Sequence, residues 1–181
     1  LGIVPDTLEA TETALKGAAG IADVVVTSGG VSVGEADYVK AAVEKLGAIK
    51  MWKVAMKPGK PIVYGRVEQA DFIGLPGNPV SAFVTFCLFV RPFLLKRMGA
   101  TRVLYRAFPV QAGFAWKKAG ARREFLRAQI QPDGRAAIYP NQSSGVLTSC
   151  AWSDGIVDID VGQTVQPGDW VRFIPLAELL S

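Results

Sequence analysis

The sequence predicts an α/β half followed by an all-β half, and three observations carry that reading. Residues 1 to about 98 alternate short β-branched runs with stretches of helical periodicity. That is the pattern of a parallel α/β sheet with helices on both faces. From Thr101 onward the runs shorten and are punctuated by turn tripeptides, Pro-Asp-Gly at 132–134, Ser-Asp-Gly at 153–155 and Pro-Gly-Asp at 167–169. Half of the 181 residues are hydrophobic, enough to bury one or two cores of ordinary size. A boundary near residues 99–105 then divides the chain into domains 1–100 and 101–181.

Taken in order, residues 1–4 read as a strand already under way, with neither a Met nor a signal-peptide pattern before it, which suggests a piece of a longer protein. Asp6 with Glu9 three residues on resembles a capping box opening a helix that carries Leu8, Leu15 and Ala18. The run DVVVT at 23–27 is a buried strand. After a glycine-rich turn, Val39, Ala42, Val43 and Leu46 recur at helical spacing until Gly47 stops the helix. Strands are predicted at 51–56 and 62–66. DFIGL then leads into PGNP, where Asn78 can cap and Pro79 can open a long apolar helix that Pro92 kinks or splits.

Composition excludes several function classes. The net charge of +4 suits an anionic small ligand, and no Lys/Arg cluster with interleaved aromatics argues for nucleic acid. Arg91 and Pro92 interrupt the apolar run 80–95, which argues for a core helix and against a membrane span. Cys87 and Cys150 sit in apolar stretches without metal-ligand spacing, and read as buried thiols of a protein from a reducing cytoplasm. The chain has no histidine, so proton transfer falls to carboxylates, lysines or bound water.

Three strings concentrate the chemistry. TSGGVSVGEADY at 27–38 places a glycine-rich loop between a strand and a helix, where successive N–H groups and the helix start can face one anion. WKVAMKPGKP at 52–61 can project Lys53, Lys57 and Lys60 around a Pro-Gly turn toward one oxyanion, although three lysines about a turn are also an ordinary solvated surface. GLPGNPVSA at 74–82 reads as a turn plus helix cap. In this order and spacing the three strings resemble the molybdopterin molybdenumtransferase (MoeA and gephyrin E-domain) family. RREFLRA at 122–128 and QSSGVL at 142–147 resemble its matching C-terminal segments, with Ser143 where a Gly is common.

The resemblance covers essentially the whole chain and implies a fold and a site. It implies a MoaB/MogA-like molybdopterin-binding domain lacking its N-terminal part, called domain III in the family, then a small β-barrel-like domain IV. Asp37, Asp6 and Lys53 become the expected catalytic residues, the two carboxylates holding Mg²⁺ and Lys53 serving the phosphate or pterin side. Asp6 also has the capping reading, and Asp37 that of a carboxylate at a helix N-terminus. Lys57, Lys60, Pro61, Arg127 and Ser144 become the expected molybdate contacts. Ser28, Gly29, Gly30, Ser32, Gly34, Pro76, Asn78, Pro79 and Ser81 become the expected phosphate and pterin contacts.

The function so implied is molybdenum cofactor biosynthesis: molybdenum passes from molybdate into adenylylated molybdopterin, and AMP leaves. The resemblance further implies a cytoplasmic protein that is a homodimer at full length, with no nucleic-acid or membrane partner. An alternative is a non-catalytic, gephyrin-like scaffold that binds peptides. A third reading, the adenylyltransferase that makes the intermediate, accounts only for the first half and leaves 105–181 without a role.

Overall fold

The structure is a computed structural model describing residues 2–31 and 38–180. Its contacts divide the chain into two compact units. One comprises Leu1–Val54 and Gly59–Asn78, the other Ala55–Pro58 and Pro79–Ser181.

The first unit opens with extended chain. The strand expected at 1–4 is not formed over residues 2–4, where Ile3 is fully exposed and no described strand runs alongside. Helix α1 (Leu8–Ala19) follows, and its N-cap is Thr7, not Asp6: the Thr7 hydroxyl accepts from the Ala10 amide at 3.3 Å. Thr11, Leu15 and Ala18 face inward at helical spacing, and the helix ends at Gly20. Strand β1 (Val24–Ser28) and helix α2 (Tyr38–Leu46) form where they are predicted, although β1 is not the buried strand expected, since only Val25 is buried and Val26 is exposed; strand β2 (Gly47–Trp52) starts directly from the helix end. The strand expected at 51–56 is therefore displaced toward the N-terminus. Met56 and Lys57 make a separate two-residue strand, β3. Strands β4 (Val63–Val67) and β5 (Ala70–Leu75) complete the unit as a hairpin.

The first sheet runs β1-β5-β4-β2, and it is mixed where the sequence suggests parallel. Only β1 and β5 are parallel, whereas β4 pairs antiparallel with both β5 and β2. The turn at Glu68 and Gln69 is too short for a crossover, so β4 and β5 must run antiparallel. On one face Val25, Val63, Val67, Ala70 and Phe72 form a single core with Leu15, Ala18, Ala42 and Val43 from the two helices. Helices α1 and α2 thus share a face, and Lys45 bridges to Glu12 across them at 2.8 Å.

The second unit holds one helical rod and one sheet. The rod spans Pro79–Arg97, as α3 (Pro79–Thr85), a π-helical turn at Phe86–Val90 and α4 (Arg91–Arg97). Pro92 does not split it: the Arg91 amide reaches back to the Phe86 carbonyl, and the wider turn precedes the proline. By length and composition alone this helix is apolar enough to cross a membrane, with a mean hydropathy of 1.5. In the fold it carries the buried Val80, Val84, Cys87 and Val90.

The sheet is built from β6 (Phe108–Gln111), β7 (Arg123–Ile130), β8 (Ala136–Ile138), β9 (Gly155–Ile159) and β10 (Trp170–Pro175), with β3 added, in the order β3-β7-β9-β10-β6. Strand β7 gives one edge to β9 and divides the other between β3 at its start and β8 at its end. The expected barrel is not closed. Beyond β6, among the described residues, only an isolated bridge, Ala112 to Ala136, with the Gly113 amide on the Ala136 carbonyl at 2.8 Å, ties the far edge to β8. Nor is the region all-β, since α5 (Thr148–Trp152) and α6 (Leu176–Leu180) are short helices. Leu126, Ala128, Val157, Ile159, Val171 and Phe173 fill the core on one face.

Candidate active site

In the first unit the ends of β1 and β5 lie side by side, and because the two strands are parallel both C-terminal ends open the same way. Open α/β sheets place ligands at such ends. Ser28 donates to the Pro76 carbonyl at 3.4 Å, and the Gly29 amide donates to the Leu75 carbonyl at 3.0 Å. Gly29 and Gly30 have φ of 88° and 66°, the left-handed region that side chains avoid. At Gly30 there is a second constraint, since an added Cβ would lie 2.6 Å from the Val39 side chain. Ser28, Gly29, Gly30 and Pro76 are thus brought together, with Asn78 exposed just beyond. Ser32, Gly34 and Asp37 lie outside the described residues. Asp6 is exposed beside the start of α1, and among the described residues no group of three or more His, Cys, Asp or Glu could hold a metal.

The lysines take three different environments. Lys53 has a left-handed backbone, φ 66°, and lays its ammonium 3.8 Å from the centre of the Trp52 ring, where Lys40 also sits at 4.1 Å. Lys57 lies directly across from Glu124 in the β3–β7 ladder and pairs with it at 2.9 Å. The Lys57 side chain is 47% exposed and that of Glu124 only 8%, so the carboxylate depends on this partner more than the ammonium does. Lys60 is exposed, and its carbonyl closes the turn by accepting from Val54 and Ile62 at 3.0 and 3.1 Å. Pro61 follows, half-buried.

Arg127 is the most unusual group. It is only 1% exposed, and burial lowers its pKa from the usual arginine value. Its side chain donates to the Ser149 hydroxyl, the Phe125 carbonyl and the Ser143 carbonyl. Ser144 is half-buried next to that carbonyl, and its own carbonyl accepts from the Val80 amide at 3.1 Å. At the start of α3 the Val80 amide is therefore satisfied by the Ser144 carbonyl. Pro79 opens the helix exposed, and Ser81 is buried within it. Arg127 and Glu124 are three residues apart on one strand, so their side chains leave opposite faces, and Lys57 goes with Glu124. Of the residues linked to molybdate, Arg127 and Ser144 are neighbours, and Lys57 is turned away from them.

Comparison with known proteins decides the family. The family described as "Probable molybdopterin binding domain" matches residues 1–96, and "MoeA C-terminal region (domain IV)" matches residues 109–176. The chain belongs to the MoeA family.

It is 48% identical to the molybdopterin molybdenumtransferase of Haemophilus influenzae over its whole length, which is 46% of that relative. It is 32% identical to gephyrin of Dictyostelium discoideum, covering 83% of the chain and 24% of that protein. Among solved structures, the molybdopterin biosynthesis MoeA protein from Pyrococcus horikoshii aligns with a TM-score of 0.78 and 29% identity, covering 96% of this chain and 42% of that one. The chain thus spans less than half the length of these MoeA relatives.

Within the MoeA frame, three residues were not singled out as contacts from sequence: Glu124, Gln142 and Ser149. Glu124 and Gln142 fall inside quoted family strings, yet a cross-strand pair and a clamp across a loop are invisible until the strands are in register. Ser149 carries no signal, because a serine in a short apolar run belongs to no motif.

Proposed function

We propose that this chain supplies the oxyanion-binding part of an enzyme that inserts molybdenum from molybdate into adenylylated molybdopterin with release of AMP. The observation that carries the reading is Arg127, a buried cation that, among the described residues, donates only to neutral oxygens, beside Ser144. A cation taken out of water without a counter-charge is costly, and an incoming dianion removes that cost. Family membership supports molybdate as the anion. Arg127 and Ser144 bind and orient it, and Lys60 and Pro61 are kept as molybdate contacts on the family resemblance alone.

Ser28, Gly29 and Gly30 with Pro76 form the proposed phosphate and pterin cradle, to which Ser32, Gly34, Asn78, Pro79, Ser81 and Lys53 are assigned. Lys57 belongs to the proposal as a residue whose charge is already met by Glu124. Asp6 and Asp37 are the proposed carboxylates for Mg²⁺. A single exposed carboxylate at Asp6 does not make a magnesium site by itself, so no step is routed through the ion. A functional division at residue 100, a homodimeric full-length protein and a cytoplasmic setting complete the proposal.

The scaffold alternative needs an apolar groove, and the exposed aromatics of the β-module do not form one. Trp170 pairs across from Gln111 and Phe108 across from Phe173, so the two rings leave opposite faces of the β6–β10 pair. Crystals of this chain soaked in tungstate test the enzyme reading. An anomalous peak is expected within hydrogen-bond reach of Arg127 and Ser144. No peak there at saturating tungstate, with Arg127 ordered, would overturn it.

A further inference from the structure

A guanidinium has five N–H groups. In Arg127, Nε donates to the Ser149 hydroxyl at 3.1 Å, Nη1 to the Phe125 carbonyl at 3.2 Å and Nη2 to the Ser143 carbonyl at 3.4 Å. One N–H is thereby left on each terminal nitrogen, so two donors of one guanidinium remain for the oxygens of an anion. All three acceptors are neutral, so the cradle orients the cation without cancelling it.

Two residues outside the assigned contacts fix this geometry. Ser149 is fully buried, and its hydroxyl proton goes to the Val146 carbonyl at 2.6 Å. With the proton so directed, the oxygen turns a lone pair to Arg127 and can only accept there. Gln142 holds the main chain at the same residue. Its Oε1 accepts from the Arg127 amide at 3.0 Å, and its Nε2 donates to the carbonyls of Arg127 and Tyr139 at 3.0 and 2.9 Å. The segment from Gln142 to Ser149 therefore grips Arg127 at the backbone from one end and at the side chain from the other.

We propose that Ser149 and Gln142 are positioning residues that hold Arg127 as an oriented, uncancelled cation, aiming its two remaining N–H groups at a tetrahedral oxyanion. This rests on the oxyanion reading of Arg127 given above. It accounts for neutral side chains at both positions, because a carboxylate at either would neutralise the guanidinium and close the site to anions. A merely structural role for Ser149 requires no particular rotation of the guanidinium.

The test reads the Arg127 Nε–H resonance of the ¹⁵N-labelled full chain, assigned by its loss in Arg127→Lys, during titration with sodium molybdate. The wild-type proton is expected to exchange slowly with solvent and to shift saturably with molybdate. In Ser149→Ala, exchange is expected to quicken and the molybdate dissociation constant to rise, each by about 10-fold or more, the loss of one hydrogen bond to a charged group. Gln142→Met is expected to weaken molybdate binding likewise. If Ser149→Ala does not fold, Ser149→Cys replaces it at the same thresholds. Unchanged exchange together with unchanged affinity in the Ser149 variant overturns the positioning role and leaves the oxyanion reading intact. Faster exchange in the variant, with a wild-type resonance indifferent to molybdate, keeps the positioning role and removes the oxyanion reading.

Discussion

Lys57 and Glu124 show how differently two halves of one ion pair depend on each other. Glu124 is 6% exposed, and without Lys57 its carboxylate would be stranded beside the strand edge; Lys57 without Glu124 would simply be hydrated. Lys57→Met should therefore destabilise the protein by about 1–2 kcal/mol, between the ranges for exposed and for fully buried pairs. Glu124→Gln should cost less, and the double variant should recover most of the loss. Urea unfolding of the four proteins checks this, and equal, additive losses would remove the claimed asymmetry. Both residues were legible as charged positions in motifs, but not as partners, because pairing across 67 residues depends on strand register. The cysteines show the converse. Apolar neighbours alone indicate burial, and both are buried in the fold, with the Cys87 thiol pushed up to about 11 by desolvation.

Secondary-structure elements were most legible where one local rule dominates. Helices α1 and α2 and strands β1 and β5 follow from periodicity and β-branched runs; their ends follow from capping chemistry, and there the competing rules misled. Asp6 with Glu9 satisfies the capping-box spacing, yet Thr7 caps, because Thr7 is the last residue with extended backbone, φ −137° and ψ 151°. Thr7→Ala should thus cost about 1 kcal/mol while Asp6→Ala stays within about 0.5 kcal/mol. Thermal unfolding of the two variants decides which residue caps. The strand placed at 51–56 failed for another reason: a left-handed residue at Lys53 breaks the ladder after Trp52, and no β-branched pattern announces it. Pro92 misled through a rule that assumes regular α-helix, whereas the π-helical turn before it admits the proline without a break.

At the scale of the whole chain, the order α/β then β was readable from texture, while strand direction and sheet closure were not. Parallel and antiparallel neighbours have the same apolar pattern when both are buried, so the β4–β5 hairpin was hidden within DFIGL and the run before it. Membership of β3 was hidden too, since its two residues lie in the middle of the first unit's sequence and pair with β7. A chain of residues 79–181 would lack that strand and expose the first residues of β7 as a free edge. Such edges associate, so this shorter protein should elute as larger species, for its mass, than residues 1–181 do, and an unchanged oligomeric state on size-exclusion chromatography would show that β3 is dispensable. The same interleaving bears on ancestry and on hybrids. Two relatives crossed at position 78 would seat one parent's Met56 and Lys57 on the other parent's strand, so residue 57 inherits its fitness from residue 124, and successful exchanges must carry 55–58 along with the C-terminal segment.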